Sequence, residues 1–107
     1  MSYQVRLTET AKNDLREIAN NIVDQSKKPT IAKHFILELR ESCNRLVDFP
    51  NQGAWPKDRV LRSMGYQYLT FKEYLIFYLT NEQASLVDIM AVFHEKQDYI
   101  RAMRKYI

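Results

Sequence analysis

The sequence is sparing with the residues from which several classes of site are made. Its 107 residues include one cysteine, Cys43, so no internal disulfide forms. Cys43 falls on an apolar helical stripe and is expected in the core as a small hydrophobe. Glycine occurs only at Gly53 and Gly65, which rules out a phosphate-cradling glycine loop and a nucleophile elbow. His34 and His94 lie in different halves of the chain, at no zinc-ligand spacing from each other or from Cys43. No metal and no cofactor is therefore expected. No run approaches the roughly 20 apolar residues of a membrane span, and the opening MSYQVRLTE lacks the apolar core and cleavage site of a signal peptide. A cytoplasmic protein with no membrane partner is the expectation.

What the chain does contain suits one domain over residues 1–107. Hydrophobic residues make up 46% and aromatic residues 12%, enough to bury a single core. Lys and Arg number 16 against 13 Asp and Glu, a net charge of +3. That excess permits an acidic partner without demanding one.

Tyr3, Val5 and Leu7 alternate with Gln4 and Arg6, the period of a half-buried strand. Thr8 is placed to cap a helix in which Ala11, Leu15, Ile18, Ala19 and Ile22 form one apolar face, ending near Asp24. The polar stretch from Gln25 to Pro29 reads as a short connection. A second, longer helix, capped at Thr30 or its neighbour, carries Ile31, Ala32, Phe35, Ile36, Leu39, Cys43, Leu46 and Val47 and stops before Pro50. The two form a helical hairpin. Beyond Gly53 the composition turns aromatic and β-branched. Val60 to Met64, Tyr66 to Phe71, Tyr74 to Thr80 and Leu86 to Phe93 read as strands of an antiparallel meander, three or four in number. The segments from Tyr74 and from Leu86 are apolar on both sides, so both faces of the sheet need cover. The tail from Gln97 to Ile107 spaces Tyr99, Ile100, Met103 and Tyr106 as a helix does, a candidate for that cover or for a partner's docking site. An α+β fold follows.

The basic residues of the second half are the candidates for chemistry. Lys57, Arg59, Arg62, Lys72, His94, Lys96, Arg101, Arg104 and Lys105 are interleaved with Tyr66, Tyr68, Tyr74 and Tyr78. Cations neutralise phosphates and aromatic rings stack on unpaired bases, so this is the composition of a single-stranded RNA site. It is equally the ordinary composition of a soluble sheet. His94 closes an apolar segment and is expected at the sheet margin. A histidine there suits a general base for a ribose 2′-hydroxyl. The structural alternative is a ring bonded to Asp98 or to a backbone carbonyl, tying strand to tail.

The order of landmarks resembles the RelE/ParE toxin superfamily over nearly the whole chain. Val5, Arg6, Leu7 and Thr8, then Ala11, Asp14, Leu15 and Ile18, resemble its first strand and helix. Leu46, Phe49, Pro50 and Gly53 resemble its helix-ending pattern; Arg62, Gly65, Tyr66 and Leu75 to Tyr78 resemble its strands; Ile89, Val92, His94 and Asp98 resemble its closing signature. The resemblance implies the toxin of a type II toxin–antitoxin module, neutralised by a cognate antitoxin whose flexible segment wraps the domain. It also implies one of two targets: DNA gyrase, bound without nuclease chemistry, or messenger RNA, cut in the ribosome. The helical hairpin ending in Phe49, Pro50 and Gly53 and the spacing from His94 to Asp98 look ParE-like. Tyr74 stands where many RelE-like nucleases carry an arginine, and a histidine near position 94 is found in both branches. For a nuclease, His94, Arg62, Tyr74 and Lys72 are the expected catalytic group. Lys57, Arg59, Tyr66, Arg101 and Arg104 are the expected contacts to nucleic acid or target. A third possibility implied by the resemblance is a non-toxic binding module that kept the fold alone.

Overall fold

The computed structural model describes residues 2–106; Ile107, the last residue of the expected tail, lies outside the described residues. Strand β1 spans Gln4–Leu7. Thr8 then has extended backbone and its hydroxyl accepts from the Ala11 N–H at 3.1 Å, capping helix α1, Glu9–Ser26. α1 buries Ala11, Leu15 and Ile18 and ends at Lys27, whose left-handed φ of 60° lets its N–H reach the Val23 carbonyl. Helix α2, Pro29–Asn44, begins only two residues later. Pro29 thus opens the second helix where the sequence suggested a link. In the first turn its missing N–H is no loss, and its ring presets the helical φ. A 3₁₀ turn, Arg45–Val47, carries Leu46 into the core.

The segment from Val60 to Met64, expected as a strand, is helical: α3 spans Arg59–Ser63. Asp58 decides this, because its carboxylate accepts from the Leu61 N–H at 3.0 Å and fixes an N-terminus upstream of the β-prone residues. Strands β2 (Gln67–Phe71), β3 (Tyr74–Asn81) and β4 (Leu86–His94) follow, then α4, Tyr99–Met103, and a last 3₁₀ turn, Arg104–Tyr106.

The sheet order is β1-β4-β3-β2. The three later strands form the expected antiparallel meander, whereas β1 joins parallel to β4 with Val5 opposite Val87. One face carries Ile76, Tyr78, Val87, Ile89 and Val92 against Leu15, Ile18, Leu39, Cys43 and Leu46 of the helical hairpin. The other carries Phe77, Ala91 and Phe93 against Leu61, Tyr66 and Met103. Both faces are therefore covered, and α4 is part of the cover.

Between β3 and β4 the register slips: Phe77 faces Ala91 but Tyr78 faces Ile89, leaving Met90 as an extra residue. The slip puts Ile89 and Val92 on the same face although they are three positions apart, an offset that regular alternation would place on opposite faces. β4 also runs past the end of β1, so its outward backbone groups need other partners. The Thr8 hydroxyl donates to the Ile89 carbonyl at 2.9 Å, the Asp14 carboxylate accepts from the Val92 N–H at 3.0 Å, and the Gln97 side-chain carbonyl accepts from the His94 N–H at 2.9 Å. Side chains finish the ladder that β1 leaves incomplete.

Candidate functional site

The far ends of β3 and β4 bring His94 and Tyr74 together. They are opposite each other in the register, with ring centroids 5.3 Å apart and planes at 81°. Both face a groove of about 750 Å³ between α1 and the tail, lined also by Asp14, Glu17, Gln97 and Lys105. The groove is mixed in charge. Burial raises the Asp14 pKa, against the lowering effect of the Val92 N–H it accepts from.

Both ring nitrogens of His94 are engaged. Nδ1 accepts from the Lys96 N–H at 3.1 Å, and Nε2 lies 3.2 Å from Glu73 Oε2. A nitrogen that accepts carries no proton, so these bonds assign the proton to Nε2, donating to the carboxylate. The lone pair a general base needs is spent on the turn after β4. The structural alternative for His94 is thus present, but with Glu73 and the Lys96 amide as partners instead of Asp98. Asp98 caps α4, accepting from the Arg101 N–H at 3.2 Å. The Tyr74 hydroxyl is held above its ordinary pKa by burial first and by Glu73 second, a shift away from the phenolate that a base would require.

The other expected catalytic residues are elsewhere. Lys72 follows β2 in the tight turn to β3, and its ammonium turns away onto α2, 3.4 Å from Glu38 and 5.3 Å and 5.4 Å from the Phe35 and Phe71 ring centroids. Arg62 lies on α3, on the opposite face of the sheet from His94, and its Nε donates to the Pro56 carbonyl at 3.1 Å. Lys57 and Arg59 are exposed beside it, and Arg101 and Arg104 are exposed on the tail. Tyr66 is 1% exposed and packs in the second core, so its ring is not presented to any ligand. Two residues that the sequence reading left out are prominent. Glu73 holds His94, a role its place in the turn opposite His94 hints at once the register is known. Trp55 stands half-exposed beside Arg62, and its signal was its being the lone tryptophan, between Gly53 and Pro56. Among the described residues no group of three or more His, Cys, Asp or Glu side chains is placed to hold a metal.

Residues 5–99 match the family described as ParE toxin of the type II toxin–antitoxin system, parDE. The chain belongs to this family. It is the toxin of a type II module, and a cognate antitoxin is its partner. Among solved structures the toxin is similar to a chain of the chromosomal ParDE system from P. aeruginosa, with TM-score 0.71 and 20% identity over 87% of this chain and 96% of that one. It is similar to a chain of the RelBE2 toxin–antitoxin complex from Mycobacterium tuberculosis, with TM-score 0.62 and 23% identity over 88% and 99%. A mutant of the E. coli toxin RelE in the free state aligns with TM-score 0.62 and 11% identity over 95% and 93%. At these identities the likenesses concern the fold. No curated protein matches the toxin by sequence. Within the fold, His94 and Tyr74 lie on one face of the sheet and Arg62 on the other.

Proposed function

We propose that the toxin arrests growth by binding DNA gyrase and has no nuclease chemistry. The observation that carries this reading is a surface suited to binding a large partner. Trp55, Val60 and Met64 are 51%, 46% and 41% exposed, beside the cations Lys57, Arg59 and Arg62. Val60 lies on α3 and Met64, four positions on, is its C-terminal cap with helical backbone, so the two side chains are on one side of the turn. Exposed tryptophan, methionine and arginine are the residue types enriched where protein interfaces take their energy. The engaged state of His94 and the diversion of Lys72 onto α2 supply the negative half of the reading.

Two parallel assays test it: supercoiling by purified gyrase, and messenger cleavage in a translation extract, each with excess toxin. Inhibited supercoiling with intact messenger is the expected result. Trp55→Ala combined with Arg62→Ala should weaken inhibition by about tenfold or more at unchanged melting temperature, and His94→Ala should leave inhibition in place. Cleaved messenger that is spared by His94→Ala would instead support an endonuclease. No growth arrest at confirmed soluble expression would support a non-toxic binding module.

A further inference from the structure

The chain's excess of positive charge is gathered on the cover of the second core. Lys57, Arg59, Arg62, Arg101 and Arg104 are all exposed, and all belong to α3 with the loop before it or to the tail. Lys105, the other cation of the tail, turns instead to the groove beside Asp14. The carboxylates of these two segments are Asp58 and Asp98. With 16 Lys and Arg against 13 Asp and Glu in the whole chain, 11 of each sign are left elsewhere, so these seven residues carry the entire net charge of +3. Both carboxylates are occupied as helix caps, accepting the Leu61 and Arg101 N–H groups. Among the described residues none of the five cations forms an ion pair. Arg62 donates through Nε to the Pro56 carbonyl, which leaves its two terminal nitrogens facing outward partners.

The two segments lie side by side. At one end the Tyr99 hydroxyl is beside the Lys57 amide and the Asp58 carboxylate, and at the other Tyr106 is near Tyr66. Each is anchored on the same face of the sheet, α3 by Leu61 and α4 by Met103, both fully buried. Arg59 and Arg62 are one turn apart on α3, on a different side from Val60 and Met64. Arg101 on α4 and Arg104, its C-terminal cap with helical backbone, are also one turn apart and point away from Met103. The result is a ridge of two short helices with guanidinium groups along it.

Guanidinium forks match phosphate oxygens. A single-stranded nucleic acid also needs rings on which its bases stack. Here Tyr66 is 1% exposed, Tyr99 stacks on Phe77 and the Tyr106 hydroxyl is buried, so no row of rings accompanies the cations. Cations without stacking partners suit a duplex, whose outer surface is phosphate. We infer that this ridge lies along the phosphate backbone of the DNA duplex that gyrase holds, while Trp55, Val60 and Met64 meet the enzyme itself. The inference rests on the gyrase reading above and adds a second, electrostatic contact to it.

Fluorescence anisotropy of a short labelled DNA duplex, titrated with purified toxin over a salt series, tests the ridge directly. The logarithm of the affinity should fall linearly with the logarithm of salt, with a slope of about −0.9 for each phosphate contacted. Arg59→Gln with Arg101→Gln should reduce that slope by about 2 at an unchanged melting temperature, and a single-stranded RNA of equal length should bind more weakly than the duplex. Purified gyrase should bind the toxin about tenfold more tightly once loaded with the same duplex, a gain that the double variant loses. Equal affinity for gyrase with and without DNA, or no duplex binding at low salt, would overturn the proposal. If supercoiling is still inhibited in that case, the gyrase reading stands and the cations face an acidic protein surface. Preference for the single-stranded RNA would also overturn it. Duplex binding with undisturbed supercoiling would remove gyrase as the source of the duplex, and the reading on which the proposal rests would fall with it.

Discussion

Tyr78 shows how one side chain joins the loop after α2 to the sheet. Its ring is fully buried, and its hydroxyl accepts from the Gly53 N–H at 2.9 Å. A Cβ at Gly53 would meet the Tyr78 hydroxyl, a Tyr78 ring carbon at 2.8 Å and the Tyr68 carbonyl at 2.9 Å, and the last is strand backbone that cannot swing aside. Gly53→Ala should therefore cost about 1–3 kcal/mol in urea unfolding, and Tyr78→Phe about 1 kcal/mol through the unpaired amide. Burial also raises the pKa of Tyr78, and of Tyr66, Tyr74 and Tyr99, above the ordinary 10.0, and pushes the Cys43 thiol up to about 11 from 9.0. In each case the folded state holds its proton more tightly than the unfolded chain. The stability this confers is complete below the unfolded-state value and is lost as pH rises through the folded one. Urea midpoints should hold at pH 8 and fall progressively above about pH 9 to 10, less steeply in Tyr78→Phe. At pH 8 a thiol reagent should label Cys43 only as fast as the chain unfolds; immediate stoichiometric labelling would contradict its burial.

Among the elements, the β2–β3 hairpin depends on where its tip is docked. Lys72 adopts a left-handed φ of 51°, a strained choice for a lysine, and its ammonium then rests on Phe35, Phe71 and Glu38. Lys72→Ala keeps the strain and loses these contacts, so it should destabilise by about 1 kcal/mol. Lys72→Gly loses the same contacts but relieves the strain, and should come out nearer to wild type. Both variants should retain growth arrest. Loss of arrest in a well-folded Lys72→Gly protein would return this residue to the active machinery. The hairpin also marks the boundary of what periodicity reveals. The strands on either side of Lys72, the long apolar stripes of α1 and α2 and the Thr8 cap were all legible, because burial on one or two faces writes directly into residue spacing. Three features were not. The strand expected from Val60 to Met64 is a helix, since a single carboxylate at Asp58 outweighs weak β-propensity over so short a stretch. The parallel docking of β1 on β4 depends on the whole helical hairpin between them, and no local pattern in Tyr3 to Leu7 records it. The dispersal of the candidate site was hidden for the same reason: Arg62, Lys72 and His94 are close in type, but the faces they occupy follow from the register and from α3.

At the scale of the molecule, the toxin is a sheet with two separate cores, and the tail belongs to the second. Met103 is fully buried against the cluster that holds Phe77, Ala91 and Phe93, and Tyr99 stacks on Phe77 with centroids 5.4 Å apart. Of the two roles open to the tail from sequence, cover for the sheet is therefore built in. Any loss of toxicity on removing the tail has an ordinary explanation, because both strands at the centre of the sheet would be stripped on one face. The tail's outer surface is another matter: Arg101 and Arg104 project from it into solvent. Point variants separate the two roles where truncation cannot. Met103→Ala should lower stability by about 2–4 kcal/mol, as deletion of a buried methionine side chain does. At a temperature where it remains folded, it should inhibit supercoiling like the parent protein. Arg101→Glu with Arg104→Glu should change stability by no more than about 0.5 kcal/mol per site. If the tail also faces the target, this pair should lose inhibition despite an unchanged urea midpoint, and the contact surface would then extend from Trp55 and Arg62 across α4. If inhibition survives, recognition is confined to the α3 side and the tail serves the fold alone.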